Sequence, residues 1–381
     1  MKYKKHITTI ARNLIYLFVV LTIFSCSSSK PPKEVTTYKI GAIFPLTGEV
    51  ASFGQNCRKG IEIALNERNN AAAGSQIQII YEDNKGDPKS GVSAMEKLIN
   101  INKVPVVLGG MASSIALAEA PIANRNLVVL MCTFASSPEI TNAGDYVFRI
   151  MPSDAYQGLV SADWVNALGY KKVAILYTHN DWGLALKDVF EENFSKLGKI
   201  VHIEGINPEE KDFRSVLTKI KEKQPDAIFM PTYPKEGAIL VKQAKELGIN
   251  AKIFGGDPWA NEDFIKGAGD SAESVLYTAP MKYQGQEYQH FAQVYKEKYK
   301  EEPDLSASAG YDSIRVIIFA IENLENEKKE ITGQNIKNIL YTVMNFPGAT
   351  GLTTFDENGD VKGKGFAKMV IKNGKSIEWT K

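Results

Sequence analysis

At 381 residues the chain is longer than one hydrophobic core usually serves, so two lobes are expected. A composition of 44% hydrophobic and 23% charged residues excludes a disordered chain, a collagen-like fibre and a multi-span membrane protein. The 45 Lys and Arg nearly cancel the 44 Asp and Glu, and without a basic tract nucleic acid is excluded as a partner.

The charge is unevenly placed. Residues 1–25 carry Lys2, Lys4, Lys5 and Arg12 and no acid, which leaves 41 basic and 44 acidic groups in the other 356. An apolar run of 11 residues follows, Leu14 to Phe24. It is too short for a bilayer, which needs ~20 residues, and with the basic start it reads as a secretory signal. Ile23-Phe24-Ser25-Cys26 resembles the bacterial lipobox, with Phe24 where a smaller residue is usual. That resemblance implies lipidation at Cys26 and a membrane-anchored, extracytoplasmic protein. Residues 26–37, polar and Pro-containing, read as a tether.

From Tyr38 onward short apolar runs alternate with amphipathic stretches. The runs are Tyr38–Phe44, Ile77–Ile80, Val104–Leu108, Leu127–Met131, Val173–Tyr177, Ala227–Met230 and Lys252–Phe254. They are continuously apolar, as in parallel strands covered on both faces. Between them helices are predicted: Phe213, Val216, Leu217 and Ile220 form one stripe, Trp182, Leu186, Val189, Phe190 and Phe194 another. Asp87-Pro88 and Ser113-Ser114 mark helix starts; Gly198 and Gly248 mark ends. The fold class is therefore α/β, with doubly wound sheets. After Tyr277–Pro280 long helices are predicted at 286–299, 308–324 and 334–341, then a hairpin pairing 352–355 with 366–372 across an Asp-Glu-Asn-Gly-Asp turn. Cys57 and Cys132 remain as candidates for a disulfide or for buried free thiols, and their spacing alone does not show that they meet. No CxxC and only four histidines argue against a zinc site, so neither metal nor cofactor is expected.

The segment Ile40-Gly41-Ala42-Ile43-Phe44-Pro45-Leu46-Thr47-Gly48, with Gly54 and Gly60-Ile61-Glu62-Ile63-Ala64, resembles the opening of the Leu/Ile/Val-binding protein family. These are type I periplasmic binding proteins, the substrate-binding lipoproteins of branched-chain amino-acid-type ABC transporters. Further matches follow in order, among them Phe148-Arg149, Pro152-Ser153-Asp154, Gln157-Gly158, Trp182-Gly183, Pro225-Asp226-Ala227, Gly255-Gly256-Asp257 and Phe355-Asp356. The resemblance implies two Rossmann-like lobes joined by three crossover strands with a ligand between them. Lobe one would be 38–154 and 281–350, lobe two 155–280 and 351–381.

In open α/β sheets, ligands bind beyond the carboxyl ends of the strands. Gly109-Gly110 followed by Ser113 and Ser114 at a helix start is such a place, suited to an anion, although the same residues would serve as an ordinary N-cap. The resemblance implies that this loop takes a ligand carboxylate. It also implies that Ala135 and Ser136, after the next strand, grip carboxylate and ammonium; on composition alone that segment reads as a Ser/Pro turn. Asp257 follows a second-lobe strand, where the family holds an acid for the α-amino group, while by itself Asp before Pro258 reads as a turn. Phe53, Trp182 and Tyr233 match aromatic pocket positions, and Trp259 is bulkier than the family's usual residue.

The function implied is capture of an amino acid or similar small ligand by a monomeric, lipid-anchored protein. An ABC permease would be its partner; a sensory module signalling to a membrane receptor is the alternative. An enzyme is not expected, because the chain contains no GxSxG or GxxxxGK[ST], and no GxGxxG follows a strand.

Overall fold

The computed structural model describes residues 35–48, 50–71 and 75–380. The signal, Cys26 and most of the tether lie outside them.

The first lobe opens as four parallel units: β1 (Thr36–Phe44), α1 (Ala51–Ala71), β2 (Ser75–Asp83), α2 (Pro88–Asn100), β3 (Val106–Gly109), α3 (Ser113–Asn126) and β4 (Val129–Cys132), then β5 (Val147–Arg149). The sheet order is β2-β1-β3-β4-β5, all parallel. The second lobe repeats the plan with α4 (Asp154–Ala167), β6 (Lys172–Thr178), α5 (Asp181–Phe194), β7 (Lys199–Ile206), α6 (Arg214–Lys223), β8 (Ala227–Met230), α7 (Pro234–Glu246), β9 (Lys252–Gly255), α8 (Glu262–Ala268) and β10 (Leu276–Pro280). Its order is β7-β6-β8-β9-β10, also parallel. The chain then returns to the first lobe for α9 (Gln286–Tyr299), α10 (Leu305–Asn326) and α11 (Gly333–Leu340). It ends in the second lobe with β11 (Phe366–Lys372) and β12 (Lys375–Glu378), antiparallel additions beside β10.

Each sheet is covered on both faces, which explains the unbroken apolar runs. In the first lobe Ile40, Ala42 and Phe44 face the helices α1, α9 and α10, while Ile43 and Val107 face α2 and α3. In the second, Ala174, Ile228 and Met230 face α6 and α7, while Val173, Ile175 and Phe229 face α4 and α5. Asp87 caps α2 through the Ser90 amide at 2.8 Å, as its sequence position indicates. Cys57 and Cys132 are buried free thiols in separate core regions.

The expected hairpin between 352–355 and 366–372 does not form. Phe355 instead stacks edge-on against Phe148, with centroids 5.2 Å apart in the first lobe's core, and its backbone bridges only Val361. Phe366–Lys372 pairs with β10 and β12 because its alternating buried face extends the second sheet. We therefore place the third crossing at 361–365, rather than at 350/351; the other two fall at 150–153 and 281–285. The crossings are bonded to one another: the Met281 amide donates to Gly365 O (2.9 Å), and Lys364 Nζ donates to Ile150 O (3.1 Å) and Thr350 Oγ1 (2.7 Å). Thr350 in turn donates to the buried carboxylate of Asp312. Burial holds the Lys364 ammonium down at about 8.

Candidate functional site

Both sheets reverse their strand order beside the first strand of their lobe, between β1 and β3 and between β6 and β8. Loops leaving the carboxyl ends at such a switch point diverge and open a crevice. Here the two crevices face each other and form one cavity of about 870 Å³. Its lining includes Phe53, Ser113, Ser114, Ala135 and Ser136 from the first lobe and Trp182, Tyr233 and Asp257 from the second. These eight residues, the candidate ligand contacts of the sequence, line one cavity between the lobes.

The first-lobe wall is built from the β3–α3 and β4–β5 loops. The residue capping α3 is Ala112, not Ser113, and it supplies no side-chain acceptor. The leading amides of α3 therefore lack a side-chain cap, which makes this helix start suited to an anion. Ser113, 1% exposed, uses its Oγ to accept the Ser137 amide at 3.2 Å, so it ties the two loops together. The Ala135 amide donates to Gly110 O at 2.9 Å. Below this loop lies Arg149, fully buried, which donates to Ser136 O (3.2 Å), Ser137 O (2.8 Å) and Thr141 Oγ1 (2.8 Å) and pairs with Asp360. The carbonyls of the Ser136–Ser137 loop are thereby held by a planar fork of donors.

Asp257 follows β9 and is 4% exposed. Its Oδ1 has no partner, and Gln157, which donates to Thr278 Oγ1 at 3.0 Å, lies near enough to favour the charged carboxylate. Asp154, the first residue of α4, is fully buried; Ser136 Oγ donates to its Oδ2 at 2.9 Å, and its Oδ1 too has no partner. Burial pushes the Asp257 carboxyl up to about 6. Burial and then the neighbouring Asp257 charge raise Asp154 well above the ordinary carboxylate range. Two buried carboxylates, each with an oxygen lacking a donor, form a site that calls for a cation.

The aromatic wall is ordered by hydrogen bonds as well as packing. Trp182 stacks on Tyr233 with centroids 5.1 Å apart. The Tyr233 amide donates to Glu236 Oε1 at 3.0 Å, and Asn180 Oδ1 caps α5 by accepting the Gly183 amide at 2.8 Å. Phe53 meets Phe134 at 5.9 Å. Trp259, grouped with the pocket aromatics in sequence, instead turns into the second-lobe core, stacked on Phe264 at 4.2 Å and bonded to Thr232. Across the cleft Ser52 Oγ donates to Asp263 Oδ2 at 2.9 Å, a direct bond between the lobes.

Arg149 and Asp154 entered the sequence reading only within the matches Phe148-Arg149 and Pro152-Ser153-Asp154, with no role at the site. The signal available for Asp154 was its place directly after a lobe crossing. Among the described residues no group of three or more His, Cys, Asp or Glu could hold a metal, and no helix is long and apolar enough to cross a membrane.

The periplasmic binding protein model matches residues 37–375. A Leu/Ile/Val-binding protein homologue of Brucella melitensis is 28% identical over 89% of this chain and 92% of its own length. The leucine-binding protein LivK of Thermotoga maritima superposes with a TM-score of 0.84 at 29% identity, covering 90% of this chain and 98% of that one. LivJ of Streptococcus pneumoniae, a branched-chain amino acid transporter substrate-binding protein solved with isoleucine, gives 0.82 at 29% identity over 90% of this chain and all of that one.

Proposed function

This chain belongs to the periplasmic binding protein family, and on that premise we propose that it captures an amino acid between its lobes for an ABC importer. The ligand carboxylate lies against the amides of Ser113 and Ser114 at the start of α3 and against the 135–136 loop. The ligand ammonium pairs with Asp257, while the buried Asp154, held by Ser136 Oγ, supports the 135–136 loop. Phe53, Trp182 and Tyr233 close around the remainder. One zwitterion then holds both lobes at once, so ligand binding favours the closed arrangement that a permease reads. The observation that carries this reading is the unpartnered, buried Oδ1 of Asp257 across the cleft from a helix start without a side-chain cap. The binding named for the Brucella relative and the isoleucine bound by LivJ agree in ligand class.

Asp257→Ala should abolish amino-acid binding in isothermal titration calorimetry while leaving the far-UV circular dichroism spectrum and the unfolding transition intact. Retained affinity would remove Asp257 from the site. The protein is further proposed to work as a monomer outside the cytoplasm, tethered through a lipid on Cys26. Mass spectrometry of the processed N-terminus reads this directly: an unmodified Cys26, or cleavage elsewhere, contradicts the anchor.

A further inference from the structure

A second, smaller chamber of about 130 Å³ adjoins the cleft on its hinge side. It shares Phe53, Phe134 and Asp257 with the main cavity, so the carboxylate that faces the cleft also borders the chamber. By this measure one water needs ~10–15 Å³, so the chamber has room for several non-hydrogen atoms. Its far wall is the start of α10 and includes Asp304, Ser306 and Ser308. Asp304 caps the helix: its Oδ1 accepts the Ala307 amide and its Oδ2 accepts Asn56 Nδ2, both at 2.9 Å. A carboxylate has about four acceptor positions, so each oxygen can take one more donor. Asp257, 4% exposed and with its Oδ1 unpartnered, lines the same space.

We propose, resting on the amino-acid reading of the cleft, that this chamber receives the ligand's side chain and selects chains bearing a hydrogen-bond donor, with Asp304 as the specificity-determining residue. An aliphatic chain placed there would strip water from the remaining acceptor positions of Asp304 without using them, and a buried acceptor position left unmade is costly. A hydroxyl, carboxamide or amine can donate to the acceptor positions that Asp304 has left. A site built for such a group can reject an isostere lacking it far more strongly than an apolar pocket discriminates by size.

Isosteric pairs separate shape from donor chemistry. Calorimetric titration of the purified protein with threonine against valine, and with asparagine against leucine, should show the donor-bearing member binding at least about tenfold tighter in one pair or both. Asp304→Ala should narrow that preference to below about threefold and leave glycine affinity unchanged, since glycine has no side chain to place. If the variant fails to fold for want of its helix cap, Ser308→Ala and the wild-type isostere pairs still decide the matter. Equal binding within both pairs, tighter binding of the aliphatic members, or an unchanged preference in a folded Asp304→Ala overturns the inference while leaving the amino-acid reading in place. Failure of every α-amino acid to bind, glycine included, overturns both.

Discussion

Asp257 and Asp154 place two carboxylates where water is scarce, and the consequence is a defined pH dependence. The Asp257 carboxyl is pushed up to about 6, mainly by burial. Because its folded value lies above the unfolded one, the ligand-free protein binds the proton more readily than the unfolded chain does. This group's contribution to stability is therefore fully present below the unfolded value and lost as the pH rises through about 6. Ligand affinity has the opposite sign, since an ammonium needs the charged carboxylate. Between pH 7.5 and pH 5, amino-acid affinity measured by calorimetry should fall about tenfold, one proton's worth for each unit below the carboxyl's value. Affinity that stays level over that range would show that Asp257 does not meet the ammonium. At this scale the sequence was informative where a residue type is rare in its setting, as for an acid after a buried strand. It was silent on Arg149 and on the Ala112 cap, because their roles depend on which loops lie next to each other in space.

At the level of elements, the start of the chain and its last third meet in a single helix pair. Helices α1 and α10 approach so closely that a Cβ on Gly60 would come within 1.9 Å of Ala307 O, and one on Gly310 within 2.3 Å of Cys57 O. Backbone cannot yield as a flexible side chain does. Gly60→Ala should therefore cost about 3 kcal/mol in urea unfolding, the upper end for overpacking a tight core. A cost below about 1 kcal/mol would mean that the two helices can separate without penalty. The parallel strands were readable because a short, continuously apolar run between amphipathic stretches fits little besides a strand covered on both faces. Edge strand β7 (Lys199–Ile206) went unread because its exposure follows no such run, and most of its residues are half-buried or exposed. The tail was misread for a related reason. Leu352–Phe355 and Phe366–Lys372 look like partners, yet Phe355 finds a better burial against Phe148, itself packed on Tyr341, in the other lobe.

For the whole molecule, the two lobes and their three crossings were implied by the family resemblance, and an order of α/β units followed by long helices and late strands is consistent with a chain that crosses more than once. What the sequence could not supply was the way the crossings are joined. Lys364 reaches the first crossing from the third, Met281 bonds the second to the third, and Ser52 meets Asp263 across the cleft. On the function proposed above, a small zwitterion would complete the interface between two lobes already joined at their hinge. Thermal unfolding with matched ligands tests that claim most directly, using α-amino acids and the same acids lacking the amino group. At ~100 times its dissociation constant a bound amino acid should add about 2.7 kcal/mol of stability, and its amine-free counterpart at the same concentration should add nothing measurable. Equal stabilisation by the amine-free acid, or none by any amino acid, would contradict a zwitterion bridging the lobes through Asp257.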